Sequence, residues 1–307
     1  MLDQIEGLHH VTSMASDARA NNAFFTDTLG LRRVKKTVNF DAPDVYHLYY
    51  GDAAGSPGSI MTYFPFPDMG PRTPGTGEVG RTVFAVPPGA LPFWRDRLAA
   101  RGVDRLAEDN SFGAPRLSFT GPDGDELALV ETEDGRRGWT GGVPEEAAIR
   151  GFDSVALRLR DGGATEELLR FMGYAAGDRD GPVTRWHREG GNGAAALDLE
   201  VLPDARRAGP GAGSVHHVAF AVPDRAAQLA ARKALIDTGY QVTPVIDRDY
   251  FWSIYFRTPG GVLFEIATDE PGFARDEEAA HLGEALKLPR QHAHLRDWLE
   301  HHLEPLE

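Results

Sequence analysis

Two stretches of this chain are built to one plan. Gly7-Leu-His-His-Val-Thr-Ser-Met-Ala-Ser-Asp17 and Ser214-Val-His-His-Val-Ala-Phe-Ala-Val-Pro-Asp224 both open an apolar run with two histidines. In each, an Asp follows seven residues after the second His, and a helical pattern follows the Asp. Asp is a favoured N-cap, because its carboxylate accepts from the free N–H groups of the first turn. A strand entering a capped helix twice in the same frame points to a repeated structural unit, and repetition constrains a fold more than any single element.

Four such units can be traced. The first runs from about Leu8 to Phe66: a strand over Val11–Ala15, a helix carrying Phe24, Phe25 and Leu29 and ending at Gly30, then strands at Arg33–Phe40, Val45–Tyr50 and Ser59–Phe64. After a Pro- and Gly-rich connector, the second has a strand at Thr82–Val86, a helix at Ala90–Arg101 and strands near Leu117–Thr120 and Glu126–Glu131. The third has a strand at Phe152–Leu159, a helix at Ala164–Met172 and a last strand within Ala194–Leu202. The fourth has a strand at His217–Val222, a helix from Asp224 to Gly239 and strands at Tyr240–Ile246, Phe251–Thr258 and Val262–Thr268. The expected fold is α+β, with four βαβββ modules pairing into two open-barrel cups, since an open sheet must bury its inner face against another. The units group into residues 1–140 and 150–270, followed by a charged helical tail over 271–307.

Comparing equivalent positions locates the chemistry. The second-His position on the four first strands is occupied by His10, Arg81, Ser154 and His217. The matching position on the four last strands reads Tyr63, Ala128, either Leu197 or Asp198, and Glu265. If the first and last units share a cup, His10, His217 and Glu265 converge, with Tyr63 facing them. Two imidazoles and one carboxylate with open positions form the facial triad of non-haem Fe(II) oxygenases, whereas a closed structural site needs a fourth ligand. Register alone selects the second histidine of each doublet. His47 and His187 have no partner in the repeat and read as ordinary histidines, as do those of the tail. The aromatic residues Tyr63, Tyr250, Phe251 and Trp252 are candidates for stacking on a ring substrate.

Composition narrows the partners. A net charge of −14 disfavours nucleic acid and anionic membrane surfaces, both of which need clustered Lys and Arg. The absence of cysteine excludes disulfides, thiolate metal sites and thiol nucleophiles. No apolar run approaches the ~18 residues that cross a bilayer, and the acidic N-terminus lacks the features of a signal peptide, so a cytoplasmic location is expected.

The residues also carry a resemblance. Leu8-His-His-Val-Thr12, Tyr46-His-Leu-Tyr-Tyr50, the Gly55–Pro65 stretch, His216–Asp224 and Arg257-Thr-Pro-Gly-Gly-Val-Leu-Phe-Glu265 are similar to segments of the vicinal oxygen chelate superfamily, and within it of the ring-cleaving dioxygenases that open hydroquinones. The similarity covers nearly the whole chain. It implies the vicinal oxygen chelate fold, with His10, His217 and Glu265 as ligands of Fe(II) (Mn(II) being the alternative), O2 as co-substrate and a small aromatic substrate. It further implies catalytic roles near the metal for His9, Thr12, His216, Arg248 and Tyr255, and leaves a homo-oligomer open. Three rival readings remain at this point: a catechol-cleaving enzyme, a glyoxalase-type isomerase or thiol transferase, and a metal-free protein that binds or sequesters a small molecule.

Overall fold

The computed structural model describes all 307 residues. The first unit comprises β1 (Gly7–Ala15), α1 (Ala18–Ala23, widening into a π-helical turn over Phe24–Thr28), β2 (Arg32–Val38), β3 (Tyr46–Gly51) and β4 (Ile60–Pro65). The second has β5 (Glu78–Val86), α2 (Leu91–Ala100), β6 (Ala107–Ser111), β7 (Ala114–Thr120) and β8 (Glu126–Glu131). The third has β9 (Gly151–Leu159), α3 (Gly163–Phe171), β10 (Ala175–Asp180), β11 (Val183–His187) and β12 (Ala196–Val201). The fourth has β13 (Val215–Val222), α4 (Arg225–Asp237), β14 (Ile246–Asp247), β15 (Phe251–Arg257) and β16 (Leu263–Pro271). The tail ends in α5 (Arg296–His302). The two aspartates that mark the repeat do cap their helices: Asp17 accepts from the Ala20 N–H at 2.8 Å and Asp224 from the Ala227 N–H at 2.8 Å.

The strands form two eight-stranded sheets, ordered β14-β15-β16-β13-β1-β4-β3-β2 and β10-β11-β12-β9-β5-β8-β7-β6. Each sheet takes one unit from each half of the chain, the first with the fourth and the second with the third. At each centre the two first strands run antiparallel, and each lies parallel to the last strand of its own unit. The α+β fold of paired βαβββ modules is therefore the one expected. The two halves lock through glycines at the strand starts. A Cβ on Gly7 (φ +128°) would lie 2.8 Å from the Ala194 carbonyl, and one on Gly151 (φ +118°) 2.6 Å from the Gly58 carbonyl, so both positions need the bare backbone.

Two details differ from expectation. The stretch Tyr240–Ile246 is not a continuous strand: it pairs with β15 at its end, through Ile246–Asp247, and at one isolated bridge between Val242 and Phe256. Pro244 has no N–H to donate and interrupts the ladder, while the Thr243 N–H donates to the Tyr255 carbonyl at 3.0 Å. The second and third units gain strands β6, β10 and β11. Strand β10 is exposed at every residue and β6 at all but its last, so neither carries the apolar alternation that reveals a strand. No helix is long and apolar enough to cross a membrane.

Candidate metal centre

The site is set by strand register in the first sheet. His10 on β1 lies opposite Ala219 on β13, and Ala219 lies beside Glu265 on β16. His217 is opposite Thr12, one step further along the same face. Side chains alternate across a sheet, so His10, His217 and Glu265 all stand on the concave face around the small methyl of Ala219. His10 Nε2 and His217 Nε2 are 3.2 Å apart, and Glu265 Oε2 is 3.4 Å from the first and 2.9 Å from the second. All three residues are buried, and their candidate ligand atoms fall within 4.8 Å of one another. Glu265 Oε2 accepts no hydrogen bond of acceptable geometry, although it is fully buried. A buried carboxylate oxygen without a donor is costly. Two imidazole nitrogens and that oxygen aimed at one point are the donor set of a divalent transition metal, and the residues present fit one.

Electrostatics keep the site in its ligating form. Burial alone would raise the Glu265 carboxyl, but the neighbouring imidazoles of His10 and His217 outweigh it and hold the carboxyl well below its usual range. Burial lowers the His217 imidazole, opposed by the neighbouring Glu265 carboxylate. The other carboxylate oxygen, Oε1, accepts a short hydrogen bond from the Ser253 hydroxyl.

The doublets explain themselves at this level. His9 Nδ1 lies 2.9 Å from His10 Nδ1, and His216 Nδ1 lies 2.7 Å from His217 Nδ1. Each first histidine thus backs the second, and the second points its Nε2 into the site. Burial, then the neighbouring His10, pushes His9 down to about 3; burial, then His217, pushes His216 down to about 4. Both are neutral at ordinary pH and can each accept the Nδ1–H of the partner.

A cavity of about 430 Å³ opens over His10 and His217, lined among others by Phe40, Phe64, Phe66, Phe251, Arg248 and Tyr255. The Arg248 guanidinium is held between the Phe40 and Tyr255 rings, 5.2 and 5.5 Å from their centroids, and its Nε donates to the Tyr255 hydroxyl at 3.3 Å. The Tyr255 ring stands edge-on to His217 at 5.6 Å. Thr12 is on the same face as His10, fully buried. The structure therefore gathers His9, Thr12, His216, Arg248 and Tyr255 around the three central residues. Of the aromatic candidates, Phe251 lines the cavity; Tyr63, Tyr250 and Trp252 do not.

Tyr63 is placed differently from the sequence expectation. It pairs with Ser13, so it faces away from the cup, donating to Asp125 Oδ1 at 2.7 Å and packing on Phe25. The position equivalent to Glu265 is Thr62, which pairs with Thr12 as Glu265 pairs with Ala219. A one-residue slip in register reverses the face, and the Pro-Gly turn before β4 hides it from sequence. In the third unit the equivalent residue is Asp198 rather than Leu197, since Asp198 pairs with Ala156. There it accepts from Ser154 at 2.9 Å and from Arg185 at 2.8 Å, while Arg185 also covers the Phe112 ring at 4.5 Å. Ion pairs fill the second cup where the first has its triad. His47, which has no counterpart in the repeat, lines the cavity with Tyr49. The alternation of Tyr46-His-Leu-Tyr49, with His47 and Tyr49 two apart on one face, is the signal that could have found them.

An open cup of paired βαβββ units holding two histidines and a carboxylate defines a class. The chain belongs to the Glyoxalase/Bleomycin resistance protein/Dioxygenase superfamily, whose description matches residues 169–266. Within that superfamily it belongs to the hydroquinone-type ring-cleaving dioxygenase branch. It is 43% identical to the Bacillus subtilis protein named "Putative ring-cleaving dioxygenase MhqE", covering 97% of this chain and 95% of that one. It is 37% identical to the Sphingobium indicum chlorohydroquinone/hydroquinone 1,2-dioxygenase, again over 97% and 95% of the two chains. A crystal structure of a "putative dioxygenase" from Bacillus subtilis superposes with a TM-score of 0.95 at 41% identity, covering 99% and 98%. Glyoxalase I from Zea mays, at 13% identity and a TM-score of 0.61 over 86% and 92%, shares the fold.

Proposed function

We propose that this chain is an Fe(II)-dependent dioxygenase that opens a hydroquinone-type aromatic ring and places both atoms of O2 in the product. The observation that carries the reading is the buried triad of His10, His217 and Glu265 at the base of an aromatic-walled cavity. His10, His217 and Glu265 would hold the metal by Nε2, Nε2 and Oε2. Fe(II) (or Mn(II)) held there would supply the redox chemistry that couples a phenolate to O2.

The chain's own residues supply the rest. Phe40, Phe64 and Phe251 make a slot that takes the apolar faces of one ring and keeps bulk water away. Arg248, fixed by Phe40 and Tyr255, presents a permanent positive charge to an oxyanion on the ring. His216, at the pocket rim with a neutral imidazole whose Nδ1 accepts from His217, can donate its Nε2–H to an oxygen on the ring. Thr62 at the fourth position, a hydroxyl already engaged by Thr12 and His47, favours an open metal over the closed one of a glyoxalase-type isomerase. Ser154 and the Arg185–Asp198 pair in the other cup speak against drawing all ligands from the C-terminal half.

Anaerobic purification, loading with Fe(II) or Mn(II), and oxygen uptake with hydroquinone and catechol test the reading. Stoichiometric metal and uptake with hydroquinone are expected. Metal-free protein after reconstitution, or uptake with catechol alone, would overturn it.

A further inference from the structure

A second cavity, of about 490 Å³, adjoins the metal cavity at the seam between the two halves of the chain. It is walled by residues 77–79 at the start of β5, by residues 207–210 of the linker, and by the ends of β13, β15 and β16 that meet there. Two side chains, Met14 and His216, line both cavities and so form the partition between them. Strand register explains the thin wall. His217 lies opposite Thr12 but Val215 opposite Ser13, which leaves His216 as an extra residue, a bulge in β13. A bulge re-aims a side chain that strict alternation would send to the other face, so the consecutive His216 and His217 both border the metal cavity. Methionine is unbranched and flexible, so Met14 can swing aside.

The two cavities differ in charge. The metal cavity meets solvent at Asp41, whose side chain is 87% exposed. The second cavity carries Arg207 and Arg257, both exposed and neither paired with a carboxylate. The Arg257 guanidinium is steadied by the Gly261 carbonyl, to which it donates at 2.9 Å. The one acidic residue of this lining, Glu78, is already paired with Arg72 at 3.2 Å. In a chain of net charge −14, two guanidinium groups left unpaired at one cavity mark it for an anion.

We propose that the second cavity is the exit of the ring-cleaving site, where Arg207 and Arg257 receive the carboxylate of the ring-opened product once it has passed Met14 and His216. The inference rests on the ring-cleaving reading. Opening a hydroquinone beside a hydroxyl-bearing carbon breaks one C–C bond and oxidises both of its carbons. The two atoms of O2, reduced in the same step, end one on each carbon, the first in a carboxylic acid and the second in an aldehyde. No other co-reactant is needed. An ordinary carboxylic acid, with a pKa of about 4, gives its proton to water at neutral pH. The substrate is therefore neutral and the product an anion, so a cationic cavity draws the product and leaves the substrate unheld.

cis,cis-Muconate, a ring-opened dicarboxylate, is the probe. Titrated without O2 into metal-loaded protein, it should bind, and Arg207→Gln and Arg257→Gln should each weaken it by about 2–5-fold. Arg179→Gln on the exposed β10 removes the same charge and should change nothing. During turnover of hydroquinone, muconate in the exit should lower kcat and leave KM unchanged, because it traps product without occupying the substrate's place. The arginine variants should need correspondingly more muconate for the same inhibition, while their KM for hydroquinone and their metal content stay within about twofold of wild type. Muconate that competes with hydroquinone, or that binds both arginine variants as tightly as wild type, overturns the exit. Metal-loaded wild type that takes up no oxygen with hydroquinone overturns the ring-cleaving reading instead, even where muconate binding still depends on the two arginines.

Discussion

His10 and His217, 207 positions apart in the chain, bring their Nε2 atoms to 3.2 Å. Two imidazole nitrogens at that distance repel unless something positive sits between them. A single proton can serve only the pair, whereas a cation serves both nitrogens and also the unpartnered Oε2 of Glu265. The contact joins the first and fourth units and makes the centre a property of the assembled sheet.

His10→Ala, His217→Ala and Glu265→Ala should each abolish metal retention, with a loss in affinity greater than the ~10–100-fold that residues behind the ligands contribute. Metal analysis after dialysis checks this. Wild-type protein should also melt higher with metal than after chelation, by about 4 kcal/mol at a thousandfold excess over Kd. An unchanged melting point would count against the site.

His9→Phe and His216→Phe should keep the fold but leave the Nδ1–H of His10 or His217 without its partner. The expected outcome is metal affinity lowered by roughly 10–100-fold, read by competition with a chelator. Affinity equal to wild type would mean that the neighbouring histidine orients nothing.

Arg248→Lys should lower kcat/KM by about 10²–10³-fold with metal content unchanged. Lysine keeps the charge but not the flat guanidinium that fits between Phe40 and Tyr255. Steady-state kinetics with hydroquinone decides it. Near-normal turnover by Arg248→Lys would reduce the role to charge alone.

Asp125 gives a prediction for stability against pH. Burial pushes its carboxyl up to about 6, opposed by the hydrogen bond from Tyr63. The folded state therefore holds a proton that the unfolded chain has already released between about pH 4 and 6. Through that window the contribution of Asp125 to stability falls as pH rises. Asp125→Asn keeps an acceptor for Tyr63 and removes the charge, so it should gain on wild type between pH 4 and 7, by a few kcal/mol at most. Denaturant titrations at the two pH values measure the difference; an advantage that shrinks with rising pH would reverse the assigned sign.

The sequence by itself determined whatever depends on near neighbours. The strand-to-helix step at Asp17 and Asp224, the apolar faces of the helices and the fourfold repeat are local patterns with local causes, hydrogen-bond capping and side-chain periodicity. Because equivalent residues of a repeat occupy equivalent places, His10, His217 and Glu265 could be singled out from the sequence once the first and last units were paired.

Tertiary structure decided what depends on register and on contacts between distant strands. It placed Thr62 rather than Tyr63 on the cavity face, because the turn before β4 fixes the pairing with β1 and a shift of one residue exchanges the faces. It brought His47 against the Thr62 hydroxyl, at 2.7 Å, by laying β4 and β3 side by side, which no local spacing in the chain encodes. It filled the second cup with Arg185 and Asp198 and left the first open. The residue types that can bind a metal were written in the chain; the point in space where their lone pairs meet exists only when the two ends of the chain share one sheet.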